Sequence, residues 1–109
     1  MFNAHYRNNA VCISAVTYAE LMTGAMRIGS IRLQERISDF TSFLKITDWT
    51  FSCAQQFAII QTALLNAGTP IGNMDTMLAA AALDIDATLV TNNVTHFKRI
   101  TGLKIESWL

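Results

Sequence analysis

Glu20, Asp75 and the pair Asn92–Asn93 are the residues of this chain whose types and surroundings point to chemistry. Glu20 follows the stretch ISAVTYA, Asp75 opens the apolar run TMLAAAAL after a Gly-Pro loop, and the asparagines close the stretch TLVT. In an open α/β sheet, ligands bind beyond the carboxyl ends of the strands. Carboxylate and amide oxygens converging there make a hard-donor site suited to Mg²⁺ or Mn²⁺. Such an ion orients phosphate and activates water for in-line attack. Each residue also has a plainer reading. Thr17 and Glu20 have the spacing of a capping box, Asp75 in a first helical turn complements the macrodipole, and the asparagines suit a turn.

Other chemistry has less support. The chain holds no GxGxxG and no GxxxxGK[ST], so the usual signals for dinucleotides and P-loop nucleotides are absent. Cys12 and Cys53 are isolated and read as buried thiols of a reducing compartment. His5 and His96 belong to no ligand-spaced motif, and His96 beside Phe97 reads as a helix-surface or helix-end residue. Arg32 and Arg36 alternate with Glu35 and Asp39, the pattern of a solvated face. Lys98, Arg99 and Lys104 form a basic cluster free of acids, close enough in sequence to Asn93 to contact phosphate.

The elements that must position these residues follow from composition and period. At 109 residues the chain has length for one domain, 1–109. With 51% hydrophobic and only 15% charged residues it is not intrinsically disordered, and eight basic residues balance eight acidic ones. No global basic field therefore advertises nucleic acid. The uninterrupted apolar run Met77–Leu83 is far too short for a membrane span, and MFNAHYRNNA lacks a signal peptide's apolar core. A cytoplasmic protein is the expectation.

The first nine residues read as a loop or frayed helix end. Ala10–Ala15 reads as a strand, followed by a helix starting near Thr17. Ser30 caps an amphipathic helix in which Ile31, Leu33, Ile37, Phe40, Phe43 and Leu44 recur at helical spacing. A short strand falls at 46–49. Along 51–67, Cys53, Phe57, Ile60, Leu64 and Ala67 mark one inward helical face. A buried helix at 74–83, a strand at 88–91, a short helix holding Phe97 and a last strand at 103–106 complete the order. Strands alternating with helices imply an α/β sandwich with a mostly parallel central sheet.

Taken together, the strings ISAVTYAELMTGA (13–25), GTPIGNMDTMLAAAA (68–82) and LVTNNVTHFKRITGLKIESWL (89–109) resemble the bacterial PIN-domain ribonucleases. The similarity is greatest to the VapC toxins and, within them, to the branch that cuts initiator tRNA; it runs from about Val11 to the C-terminus. It implies a PIN-like three-layer α/β sandwich and Mg²⁺-dependent (or Mn²⁺-dependent) hydrolysis of RNA, a tRNA by this branch. The implied catalytic residues are Glu20, Asp75 and Asn93. Glu20 and Asp75 are the implied metal ligands, Asn93 supports a second metal or its waters, and Thr91 supplies a strand-end hydroxyl. Lys98 and Arg99 are the candidates for RNA contact. The implied partners are a VapB-type antitoxin and a second copy in a homodimer, with no membrane.

One departure stands out. The family begins with a strand of the type M-L-D-T-N whose Asp is a principal metal ligand, whereas the first Asp here is Asp39. The chain is therefore expected to be N-terminally incomplete, lacking the central first strand. Two inner strand edges would be left open, at a cost of ~1–3 kcal/mol per buried unpaired peptide group. A start placed too late, a degraded toxin, or a strand borrowed from a copy or partner would each account for this. The rival to an enzyme is a non-catalytic fragment that dimerises or binds antitoxin through the helices at 31–44 and 51–65. A generic α/β domain whose acids are only caps is the third reading.

Overall fold

The computed structural model describes residues 4–7, 10–91 and 93–107. It contains β1 (Ala4–Arg7), β2 (Ala10–Ser14), α1 (Ala15–Arg27), α2 (Ile31–Thr41), β3 (Lys45–Thr47), α3 (Phe51–Asn66), α4 (Asn73–Asp84), β4 (Thr88–Val90), α5 (Val94–Phe97) and β5 (Ile105–Glu106). The strands form one sheet in the order β3-β2-β1-β4-β5. β2 pairs with β3, and β4 with β5, in parallel, but β1 runs antiparallel to both β2 and β4. The sheet is thus mixed rather than mostly parallel.

β1 also corrects two expectations. Residues 4–7 are a strand, not a loop, and they occupy the slot between β2 and β4 that was expected to stand empty. The physical reason is the cost of open inner edges, which recruits the nearest segment able to donate and accept hydrogen bonds. Because β1 is antiparallel, Ala4 lies beside Val90 and His5 between Cys12 and Leu89.

Alternating side chains divide the core into two layers. Leu89 packs with Ile60, Leu64, Ala79, Ala80, Ala82, Phe97 and Ile100 on the face covered by α3 and α4. Ala4, Ile13 and Val90 face Tyr18 of α1 on the other side. The run of alanines in α4 has the purpose its composition suggests: small side chains let the helix lie against both the sheet and α3. Cys12 and Cys53 are buried thiols, as expected.

Helix starts are set by side-chain caps. Ser14 accepts from the Val16 amide, Ser30 from Leu33 and Thr50 from Cys53. Ser14 rather than Thr17 therefore begins α1, three residues earlier than the capping-box spacing implied. In α2 only Ile37 and Thr41 are buried; Ile31 and Phe40, with Phe43 beyond the helix end, remain exposed, so its apolar stripe is covered only in part.

His5 is fully buried in the central strand, and neither ring nitrogen has a hydrogen-bond partner. Burial pushes its pKa from 6.5 down to about 4, against a smaller opposing influence from the Leu78 backbone. The unfolded chain takes up the proton first as pH falls, so stability is full above pH 6.5 and drains away between about 6.5 and 4. The loss expected over that window is about 3 kcal/mol. Urea unfolding at pH 7.5 and pH 5 should show about 2 kcal/mol of this loss, and His5→Leu should flatten the difference. Ser14→Ala should lower stability by about 1 kcal/mol at either pH.

Candidate active site

β2, β3, β4 and β5 all point their carboxyl ends to one edge of the sheet. α1 leaves β2 at that edge, Thr91 and Asn93 follow β4 there, and α1 packs against α4. Glu20 lies in the second turn of α1. With the cap supplied by Ser14, Glu20 is not the reciprocal half of a capping box, so that bland role is removed. Its carboxyl pKa is raised, first by burial and second by the negative charge of Asp75. The charge of Asp75, 55 positions along the chain, is thus felt at the Glu20 carboxyl, and the helices that carry the two acids pack against each other.

The start of α4 is built to hold Asp75 in place. Gly72 precedes the helix with φ of 99°, a conformation that favours glycine. The Thr76 hydroxyl lies 2.8 Å from the Gly72 carbonyl oxygen and 3.2 Å from Gln61 Oε1, both acceptors for its proton. Gln61 Nε2 donates to Asn73 Oδ1 at 3.2 Å, tying α3 to this first turn. Thr17, one turn before Glu20, is buried with no hydrogen-bond partner for its hydroxyl.

Beyond β4, the buried Thr91 hydroxyl accepts from the Asn93 backbone amide at 3.0 Å. The Asn93 side chain is then free to turn to the site: its Nδ2 lies 2.8 Å from His96 Nδ1. His96 Nδ1 in turn stands 3.7 Å from Asp75 Oδ2. His96 lies at the end of α5 with its side chain 41% exposed, in keeping with a helix-surface or helix-end residue, but nothing in its spacing from the acids reveals that its ring lies beside Asp75 of α4. Asn92 lies outside the described residues.

The basic cluster is dispersed. Lys104 precedes β5 at the opposite edge of the sheet and is engaged by Asp86, with its ammonium 3.2 Å from both a carboxylate oxygen and the backbone carbonyl. Lys98 is exposed at the end of α5. Arg99 lines a groove of about 320 Å³ with residues of α3 including Ile59, Ile60 and Ala63. Sequence proximity had grouped three cations that the strand direction separates.

The donor set can be tested against a divalent ion. Among the described residues, no three of His, Cys, Asp and Glu stand together at metal-holding spacing. Mg²⁺, however, is commonly held by one or two carboxylates, with water and substrate phosphate completing its shell. Two mutually repelling acids and an unpartnered buried hydroxyl fit that mode.

Residues 3–103 match the model of the PIN domain family. Ribonuclease VapC2 of Rickettsia felis is 37% identical over 103 residues, which cover 94% of this chain and 77% of that protein. The chain belongs to the PIN-domain VapC ribonuclease family. The tRNA(fMet)-specific endonuclease VapC of Salmonella typhimurium is 35% identical over 99 residues, 90% of this VapC chain and 75% of that one. The crystal structure of VapBC2 from Rickettsia felis bound to a promoter DNA fragment superposes with a TM-score of 0.88, at the same coverage of 94% and 77%. VapBC-1 from nontypeable Haemophilus influenzae gives 0.85 at 32% identity, again with 94% and 77% covered. In this VapC chain the described part of the central strand, AHYR, carries no carboxylate.

If Glu20 and Asp75 repel at neutral pH, neutralising one should relieve the strain. Glu20→Gln is expected to raise the metal-free Tm at pH 7.5. Below pH 4, where Glu20 already holds its proton, the two proteins should melt alike.

Proposed function

We propose that this chain is the toxin of a type II toxin–antitoxin pair, acting as a Mg²⁺-dependent or Mn²⁺-dependent endoribonuclease on RNA, with a tRNA as substrate. The observation that carries the reading is the packing of α1 against α4 at the carboxyl edge of the sheet, which puts Glu20 within electrostatic reach of Asp75. Glu20 and Asp75 would hold the ion, with Asn93 beside them. Such an ion, when bound, supplies positive charge that polarises a phosphodiester and raises the acidity of water. The chain's own contribution is orientation. Gly72, Thr76 and Gln61 lock the turn bearing Asp75, and Thr91 fixes the backbone from which Asn93 projects. Lys98 is exposed just beyond His96 and is the better placed of the two candidate cations for an RNA phosphate; Arg99 opens onto the α3 groove.

The tRNA assignment draws on relatives described as tRNA(fMet)-specific endonucleases, and the antitoxin on solved VapBC complexes. The exposed apolar residues suit protein partners: Ile31, Phe40 and Phe43 for a VapB-type antitoxin, and Phe51, Ile59 and Leu65 of α3 for a second copy in a homodimer. A cytoplasmic location accords with this role, and no helix among the described residues is long and apolar enough to cross a membrane.

A second reading is favoured by the central strand. β1 brings Ala4, not an acid, to the edge where the site lies. With fewer negative ligands the affinity for a divalent ion falls, and the chain would then sequester antitoxin without cutting RNA. The two readings separate in one assay. Purified protein with Mg²⁺ and total tRNA should yield discrete fragments, and Asp75→Asn should reduce the rate by at least ~10²-fold, the scale of losing one electrostatic transition-state contact. Absence of cleavage by the wild type, together with tight antitoxin binding, would select the non-catalytic reading.

A further inference from the structure

We infer that His96 is a positioning residue for the proposed hydrolysis: its Nδ1 takes the Asn93 side-chain NH2 and leaves the Asn93 carbonyl oxygen as the atom offered to the site. The inference rests on the proposed nuclease reading and deepens it. By type and place Asn93 is suited to cap α5, since asparagine just before a helix ordinarily accepts from an amide of the first turn. It makes no such bond. Its Nδ2 lies instead 2.8 Å from His96 Nδ1, while its backbone amide is tied to the Thr91 hydroxyl at 3.0 Å. Phe97, the next residue, is fully buried and anchors the short helix that carries the ring.

The chemistry of this pair sets the polarity of both groups. An amide NH2 only donates, so the nitrogen facing it is the unprotonated one of a neutral imidazole, and the ring proton sits on Nε2. Asp75 Oδ2 stands 3.7 Å from the same Nδ1, too far for a hydrogen bond, which agrees with no proton between them. With Nδ2 committed, Asn93 Oδ1 is without a partner among the described residues. A hydrated divalent cation beside Asp75 calls for oxygen acceptors. Turned the other way, Asn93 would present a donor with partial positive charge to that cation. The ring thus acts through Asn93 and needs no contact of its own with RNA.

The test uses the whole protein and two readouts: long-range ¹H–¹⁵N spectra of the histidine rings at pH 7.5 without metal, and cleavage of total tRNA with Mg²⁺. The wild-type spectrum should show His96 with its proton on Nε2 and a bare Nδ1. His96→Asn keeps an acceptor at the place of Nδ1, whereas His96→Gln keeps polar atoms only at the place of Nε2. His96→Ala and His96→Gln should therefore lower kcat on the order of tenfold with KM hardly changed. His96→Asn should recover most of that loss. In an Asn93→Ala background, removing the ring should cost nothing further. Rescue by glutamine and not by asparagine, or losses that add in the double variant, overturns the inference. Cleavage by a wild type that carries a proton on Nδ1 overturns it alone and leaves the nuclease reading standing. A wild type with the expected tautomer that cuts no RNA overturns the nuclease reading and the positioning role together. The tautomer is read on the wild type and needs no variant to fold.

Discussion

Two like charges held near each other at the rim of a sheet are the constraint around which this molecule is arranged. Glu20 and Asp75 gain nothing from one another as bare carboxylates, and partial burial of Glu20 makes its ionisation harder still. Nevertheless, the surrounding structure forces the encounter. Ser14 caps α1 so that Glu20 emerges in its second turn, while Gly72, Thr76 and Gln61 fix the opening turn of α4.

The opposite end of the argument is the sheet's centre. Parallel neighbours β2 and β4 leave a gap that no loop could fill, because both of their inner edges carry backbone groups needing partners. β1 fills it in reverse direction, with Ala4 and His5 as the side chains on its two faces. His5 is an expensive occupant. It buries two nitrogens without partners, and its neutral form is retained only because burial suppresses protonation. Backbone pairing wins over side-chain solvation here, since each ladder bond lost inside the sheet would cost as much as the imidazole's desolvation.

The remaining surface divides by chemistry. The rim bearing Glu20, Asp75, Asn93 and His96 is polar, with His96 between Asp75 and Asn93, whereas α2 and α3 display isolated large apolar residues. Membership of the VapC family, with solved relatives that are toxin–antitoxin complexes, accommodates both surfaces in one small domain.

The helices, their order and the three linked motifs were legible because they depend on local signals: 3.6-residue periodicity, Ser30 and Thr50 as caps, glycine at the break near Gly29 and at the stop at Gly68. The same local reasoning misplaced the start of α1, since Thr17 and Ser14 both satisfy a capping pattern and only backbone geometry chooses between them. Direction of pairing was decided entirely by tertiary structure. A four-residue polar segment has no intrinsic preference for a central strand; it acquires one from two waiting edges. Lys104 left the basic cluster, and His96 joined the acids, for a related reason. Neighbourhood at the end of a sheet depends on which way each strand runs and how the next helix turns back, and neither is encoded in the spacing of the residues concerned.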